Sequence, residues 1–199
     1  MTRKLMTVTM MLLICATVAV AQEKPAEMSA EEMAMMEAFA KAATPGDQHK
    51  HLAKMAGEWN VKAKFWMEPG DPMQSEGTAS RSMMLDGRVL AESFKGEFMG
   101  MPFAGHGMTG YDNVTGLYWS TWNDTMSTGL MKMEGQCTDS GDKCTWIGSN
   151  LDPMTGKMMF SKGVSTTQSS DREVFESFVI GPDGKEFKTM ELVYTRKKN

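Results

Sequence analysis

The sequence predicts an all-β protein, an antiparallel up-and-down barrel of about ten strands that follows two short N-terminal helices. Two observations favour this fold class. From Trp59 onward, apolar and polar residues alternate with a period of two, which is typical of half-buried strands. Turn sequences rich in Gly, Pro, Asn and Asp separate these runs at short intervals, so each strand joins the next through a hairpin. Closure into a barrel removes the exposed edges that such a long meander would otherwise keep.

Two stretches of helical spacing precede the strands. Ser29 and Glu32 form a capping-box pattern, and apolar residues then recur at helical spacing. Thr44-Pro45-Gly46 ends this first helix, and its Thr-Pro pair is expected to begin a second one. Gly57 ends the second helix immediately before the first strand.

The first residues have the pattern of a secretory signal peptide. Arg3 and Lys4 precede an uncharged apolar run that closes on the small-x-small sequence Ala19-Val20-Ala21. Read as a membrane span, this run is marginal because it contains several threonines. We expect cleavage after Ala21 and a periplasmic or secreted protein. The predicted divisions are a signal peptide (1–21), a Met-rich helical extension (22–43) and a barrel domain (44–199).

The charge of the chain excludes some partner classes. Cleavage removes two basic residues and no acidic one, so the net charge falls from −4 to −6. An acidic surface without any block of Lys or Arg argues against nucleic acid and anionic membranes as partners. We therefore expect no nucleic-acid partner and no membrane association after cleavage. The expected oligomeric state is a monomer or weak homodimer.

Cys137 and Cys144 are the cysteines that remain after cleavage, and they bracket the turn sequence TDSGDK between two strand-like runs. In an oxidising compartment this spacing predicts a disulfide across a hairpin. The competing interpretation is a two-thiol metal site, which would need further Cys or His residues nearby. The sequence has none there, so no metal is expected.

The ends of the predicted barrel resemble the calycin pattern that lipocalins share. Gly57-Glu58-Trp59 opens the first strand after a short helix, and Arg196 stands near the end of the last strand. The resemblance implies that Arg196 packs across Trp59 and closes one end of the barrel. A planar guanidinium stacks well on an indole and bonds to carbonyl groups at strand ends. His49, on the second helix, is expected to cap the same end.

Two longer motifs resemble a bacterial calycin-like family, domain of unknown function 1579. They are TPGDQHKHLAKMAGEWNV and GHGMTGYDNVTGLYWSTWNDTMSTG, and the likeness covers residues 44–196. The resemblance implies a fold but no activity. The family pattern is matched by His49, Gly57, Trp59, Gly110, Tyr111, Asp112, Trp119, Trp122, Asp124 and Met126.

Residues 103–128 form the densest cluster of aromatic, polar and glycine residues. Aromatic walls with a few polar groups are what a small-molecule pocket requires, and a glycine in a strand often marks a close approach to the backbone. The alternative is that these aromatics only fill the core. The predicted ligand-binding residues are His106, Tyr111, Tyr118, Trp119, Trp122 and Asp124.

Two cofactor hypotheses have weaker support, and no cofactor is expected. His106 is a possible haem ligand, by resemblance to the nitrobindins, a neighbouring calycin-like group; no second ligand is evident. Methionine is abundant, and Met28, Met33 and Met36 are possible Cu(I) ligands. The alternative is that methionine replaces Leu and Ile as core filler.

The sequence favours a binding protein over an enzyme, because it lacks a nucleophile elbow, a zinc-protease motif and a phosphate loop. Acid–base catalysis by His106, Asp112 and Asp124 stays as a weaker hypothesis. The function we expect is binding of a small, mostly apolar molecule inside the barrel. The alternative is an interaction module with a filled barrel, whose N-terminal helix docks a partner.

Overall fold

Ten antiparallel strands close into a barrel in the computed structural model, which describes residues 28–152 and 155–198. The strands follow one another around the barrel in chain order, and the first pairs with both the second and the last. The predicted fold class is therefore confirmed. The strands are β1 (Gly57–Phe65), β2 (Met73–Met84), β3 (Val89–Phe98), β4 (Met101–Asp112), β5 (Leu117–Asp124), β6 (Met131–Cys137), β7 (Lys143–Leu151), β8 (Met158–Ser169), β9 (Arg172–Ile180) and β10 (Glu186–Arg196).

Pairing of β1 with β10 closes the barrel. Trp59 is opposite Arg196 and Val61 is opposite Tyr194 in this ladder. Side chains on a strand alternate between the two faces of the sheet, so Trp59, Val61 and Ala63 all point inward, and each is at least 97% buried. The period of two in the sequence therefore separates the barrel interior from its outer surface.

Two helices precede β1, namely α1 (Ala30–Ala43) and α2 (Asp47–Lys54). The predicted capping box is present, since the Glu32 amide donates to Ser29 Oγ at 3.2 Å and the Ser29 amide donates to Glu32 Oε2 at 2.8 Å. The second helix begins later than predicted. The reason is that Thr44 still belongs to the end of α1, where its hydroxyl donates to the Ala40 carbonyl at 2.6 Å.

The C-terminal end of α1 contacts the barrel, and none of the residues of this helix is buried. Its last carbonyls are held by two side chains from barrel hairpins. Asn113 Nδ2 donates to the Thr44 carbonyl at 2.8 Å, and Arg88 Nη2 donates to the Ala43 carbonyl at 2.8 Å. These bonds satisfy carbonyl groups that a helix end leaves without partners.

The core consists of two clusters inside the barrel, one around Trp59 and Tyr194 and the other around Tyr118 and Trp146. Methionine is not the main residue type in either cluster. The interpretation that methionine replaces Leu and Ile as core filler is therefore wrong. No methionine in the described part of the chain is buried, although three pack partly against the second cluster. Aromatic and small or branched aliphatic side chains fill the interior, and most of the described methionines lie outside it.

The predicted signal peptide and its cleavage site after Ala21 lie outside the described residues. Within the described ranges, no helix is both long and apolar enough to span a membrane.

Candidate ligand-binding site

The barrel encloses a cavity of about 430 Å³. It extends from the end of the barrel that Trp59 and Arg196 close, here called the floor, toward the opposite end, here called the mouth, where β1 ends at Phe65 and β5 ends at Asp124. This volume lies in the range typical of small-molecule sites. Most of the wall is aromatic or aliphatic. The aromatic lining residues are Phe65, Phe94, Phe98, Phe103, Tyr118, Trp122, Trp146, Phe175 and Tyr194.

The floor is formed by the indole of Trp59, which is 2% exposed, and by the guanidinium of Arg196, which stacks on that indole. The Arg196 Cζ atom lies 4.2 Å from the centre of the indole ring. Arg196 Nη1 and Nη2 also donate to the carbonyls of Ala56 and Lys54, at 2.7 and 2.8 Å. Trp59 Nε1 donates to the Met55 carbonyl at 3.0 Å. One cation therefore joins the last strand to the end of α2 and to the first strand.

Gly57 makes this close approach possible. Its φ of +132° lies in a region that residues with side chains rarely adopt, and a Cβ there would collide with Arg196 Nη1. The second helix ends earlier than predicted, at Lys54, and Gly57 is the first residue of β1, where it forms part of the floor.

His49 packs at the floor end and is 5% exposed. Its Nδ1 accepts a hydrogen bond from the Gly46 amide at 3.1 Å, which caps the start of α2, and its ring meets that of Tyr111 edge to face at 5.9 Å. Burial lowers the pKa of His49, and the nearby Arg88 adds to this effect. The neutral imidazole is therefore the form that the fold favours.

A second cavity, of about 400 Å³, lies beneath the floor, against Trp59 and Arg196. His51, Met55 and Glu173 line both cavities. These side chains therefore form part of the wall between the cavity inside the barrel and the second cavity at its closed end.

A buried ionic cluster lies just above the floor. Arg81, whose side chain is 6% exposed, pairs with Glu173 through Nη1 and Oε2 at 2.7 Å and with Glu92 through Nε. Its guanidinium also lies 4.1 Å from the ring centre of Tyr194, whose hydroxyl donates to Glu92 Oε1 at 3.2 Å. Burial opposes the charge of Arg81, but attraction to the two carboxylates is stronger and raises its pKa. Burial and the nearby Glu92 raise the pKa of Tyr194.

Sequence reasoning missed this cluster, because its members come from strands far apart in the chain. A local signal was present, however. Glu92 stands between Leu90 and Phe94 at the apolar phase of β3, so alternation alone places a carboxylate inside the barrel.

Trp122 and Asp124 form the polar edge of the cavity near the mouth. Trp122 Nε1 donates to Asp124 Oδ2 at 2.9 Å, and the Met126 amide donates to Asp124 Oδ1 at 2.9 Å. The indole lies across Gly105 and Gly107 of β4, and a Cβ at Gly105 would overlap it. These glycines allow the Trp122 ring to lie flat against the wall beside the cavity.

The structure brings together three of the six predicted ligand-binding residues, since Tyr118, Trp122 and Asp124 line the cavity. Tyr111 points inward but packs near the floor, with its ring 4.8 Å from that of Tyr118. Trp119 lies on the outer face, across Gly110.

His106 is also on the outer face, exposed to solvent, where its Nδ1 lies 3.2 Å from Ser93 Oγ. Asp124 points inward from the neighbouring strand, and Asp112 lies at the other end of β4, bonded to the Val114 amide at 2.8 Å. The structure therefore does not bring His106, Asp112 and Asp124 together for acid–base catalysis, nor does it place His106 in the cavity as a haem ligand.

Cys137 and Cys144 are joined by a disulfide between β6 and β7, with an S–S distance of 1.96 Å. The two residues are directly opposite each other in the ladder, and Cys144 is 4% exposed. The pair lines the floor side of the cavity. Within residues 28–152 and 155–198, no group of three or more His, Cys, Asp or Glu side chains is arranged to hold a metal ion.

The mouth carries many of the exposed methionines. They lie in the turns and strand ends that surround it, and the most exposed of them shows 76% of its surface. Flexible thioether side chains give this edge an adaptable apolar surface. The exposed methionines of the mouth are Met67, Met73, Met99, Met101, Met126, Met131 and Met158.

A closed antiparallel barrel with a floor formed by a Trp–Arg stack and an aromatic cavity above it defines a calycin-like barrel protein. The chain belongs to the family described as protein of unknown function DUF1579, whose model matches residues 44–196. No curated protein matches it.

Solved structures with a similar fold have little sequence in common with this chain. Rv2717c from M. tuberculosis aligns with a TM-score of 0.55 and 12% identity, over 78% of this chain and 100% of that one. The S-type phycobiliprotein lyase CPES from Guillardia theta aligns with a TM-score of 0.52 and 9% identity, over 81% and 97%. At these identities the likeness concerns the fold alone.

Proposed function

We propose that this protein binds a small, mostly apolar molecule in the cavity of its barrel. The observation that carries this proposal is the cavity of about 430 Å³, whose walls are largely aromatic. A core that served stability alone would be close-packed, because empty space in a protein interior costs free energy. A bound apolar molecule would occupy this space and stabilise the native state by mass action.

The polar groups of the cavity support a ligand that carries a polar group as well as an apolar body. Tyr118, Trp122 and Asp124 are the proposed binding residues from the sequence analysis that line it, and Thr109 and Ser120 add hydroxyl groups to the same wall. A few polar groups among aromatic walls orient a ligand by hydrogen bonds while its body is buried.

Binding of the neutral fluorophore N-phenyl-1-naphthylamine tests the proposal. Its emission rises when it moves from water into an apolar site, so titration gives a dissociation constant. Thr109→Phe places a ring in the cavity, whereas Met108→Phe places the same ring on the outer face of the same strand. We expect Thr109→Phe to weaken binding by about tenfold or more, because the new ring displaces buried apolar contacts of the ligand.

Met108→Phe serves as the matched control and should bind the fluorophore as the wild type does. Equal binding by both variants would show that the fluorophore lies outside the cavity. The proposed function would be contradicted if the wild type failed to bind the fluorophore and was also not stabilised by any of a panel of apolar molecules that includes neutral, cationic and anionic head groups.

We also propose that the protein is exported, with residues 1–21 removed as a signal peptide, to the periplasm or the exterior. The support is the apolar leader with its small-x-small end, together with a disulfide that an oxidising compartment would maintain. Sequencing of the N-terminus of protein recovered from the cell envelope or medium tests this. We expect it to begin at Gln22; an intact N-terminus in the cytoplasmic fraction would refute export.

A second candidate function is an interaction module in which α1 docks a partner. The observation that favours it is the unburied apolar stripe of this helix, where Met33, Met36 and Phe39 are 51%, 56% and 69% exposed. Co-purification with the wild type but not with a Met36→Glu/Phe39→Glu variant supports it. Identical co-purifying proteins for the two would count against it.

A further inference from the structure

The charged groups that line the cavity are unbalanced. Four carboxylates, those of Glu92, Glu97, Asp124 and Glu173, share the described part of the wall with a single permanently charged cation, Arg81. An apolar cavity with this excess of negative charge attracts positively charged molecules and repels anions. The imbalance is a property of the site that its aromatic walls alone do not explain.

Arg81 is not available to bind the head of an anionic ligand. It already pairs with Glu92 and Glu173, and one face of its guanidinium lies against Tyr194 at 4.1 Å. Two carboxylates for one guanidinium leave an excess negative charge in the cluster. An anion that entered would have to break a buried ion pair or stay without a partner, and both are costly.

The carboxylates near the mouth, by contrast, have no cationic partner. Neither Asp124 nor Glu97 forms an ion pair with any Lys, Arg or His in the described ranges. Asp124 is held in place by hydrogen bonds from Trp122 Nε1 and the Met126 amide, both at 2.9 Å. A fixed carboxylate without a cationic partner is a favourable place for an ammonium group, which gains an ion pair and a charge-assisted hydrogen bond there.

A hydroxyl on the wall indicates that the ligand carries a polar group. Ser75 lines the cavity, and its Oγ is a buried polar side-chain atom without a hydrogen-bond partner among the described residues. A buried hydroxyl without a partner is costly, and a ligand group that donates to it or accepts from it would remove that cost.

We propose that the ligand of this cavity is an amphiphilic cation, an apolar body that carries an ammonium group. The ammonium group pairs with Asp124 at the mouth, where the exposed Glu97 adds negative charge to the rim, and the apolar body lies among the aromatic residues of the interior. This inference rests on the proposed function, since it specifies the class of molecule that the same cavity takes.

A ligand series with one tail and three head groups tests the inference. Decylamine, decanol and decanoate are titrated at neutral pH and low salt against protein loaded with N-phenyl-1-naphthylamine, and displacement is measured. We expect decylamine to bind at least about tenfold more tightly than decanoate, with decanol between them, because only the amine pairs with the mouth carboxylates. The preference should shrink at high salt, which screens exposed charges.

Three variants locate the effect. Asp124→Asn reduces the preference for decylamine over decanol most and Glu97→Gln reduces it less, while Glu76→Gln, at an exposed carboxylate on the outer face of β2, leaves that preference unchanged. Glu97→Gln carries little risk for folding, because the Glu97 side chain makes no hydrogen bond or ion pair with the described residues and is exposed.

The outcomes separate the two proposals. Displacement by decanol with no preference for the amine, or a preference that survives both mouth substitutions, overturns the amphiphilic cation and keeps the apolar site. Failure of the wild type to bind the fluorophore overturns the site itself, and bound fluorophore that none of the three compounds displaces overturns the amphiphilic cation.

Discussion

Replacement of Arg81 by methionine tests the buried ionic cluster most directly. The substitution keeps an apolar stem of similar length but leaves Glu92 and Glu173, whose side chains are 14% and 7% exposed, without their cation. Removal of one partner from a buried ion pair costs about 3–5 kcal/mol. For a domain of this size that loss corresponds to a decrease in melting temperature of about 6–20 °C.

Urea denaturation, followed by tryptophan fluorescence, measures the change in the free energy of unfolding. Lys62→Met is the control, because Lys62 forms an ion pair with Glu76 at 3.7 Å on the outer surface, where both side chains are about 80% exposed. It should cost about 1 kcal/mol or less. Addition of Glu173→Gln to Arg81→Met should restore part of the lost stability, since it removes one of the uncompensated charges.

Equal destabilisation by Arg81→Met and Lys62→Met would show that the buried ion pairs do not stabilise the fold more than a surface pair. If Arg81→Met with Glu173→Gln is less stable than Arg81→Met alone, the loss comes from packing and not from unpaired charge.

Three further predictions concern the floor and the disulfide. Gly57→Ala should lower the free energy of unfolding by about 1–3 kcal/mol more than Gly70→Ala. Both glycines have positive φ, but only Gly57 faces a side chain that a Cβ would strike. Equal losses in urea denaturation would contradict this prediction. Reduction of the Cys137–Cys144 bond should cost about 2–3 kcal/mol by chain entropy, measured by thermal melting with and without reductant, and an unchanged melting temperature would count against a formed bond. Because burial lowers the pKa of His49, its contribution to stability is complete above about pH 6.5 and is lost as the pH falls below that value. Melting temperatures across this range should therefore depend less on pH in His49→Gln than in the wild type, and identical profiles would disprove the effect.

The fold was accessible to sequence reasoning because its main determinants are local. Alternation along each strand defines the inner face, and short turns enforce neighbouring antiparallel pairs. The prediction that Arg196 stacks on Trp59 came from the resemblance to the calycin pattern, because no local pattern in the sequence relates these two residues. The start of α2 was misplaced, because the choice between Thr44 and Asp47 depends on which backbone groups the side chains of Thr44 and His49 satisfy.

The candidate site was accessible only in part. Successive residues on a strand face opposite sides, so Trp119 and Trp122, three positions apart, cannot both line the interior. Tyr118, Trp122 and Asp124 share one face by the same rule, and the rule applied to the sequence would have separated them from Trp119. The pairing of Arg81 with two carboxylates depends on contacts between distant strands, which alternation alone does not reveal.

Closure of the barrel by its first and last strands has a consequence for biosynthesis. The register that joins Trp59 to Arg196 connects opposite ends of the domain, so the ring stays open until β10 has left the ribosome. Contacts between such distant segments form slowly, because the intervening chain must lose entropy before they do. The nascent chain therefore carries two unpaired strand edges until its last segment arrives, and completion of the ring is necessarily a late event in its maturation.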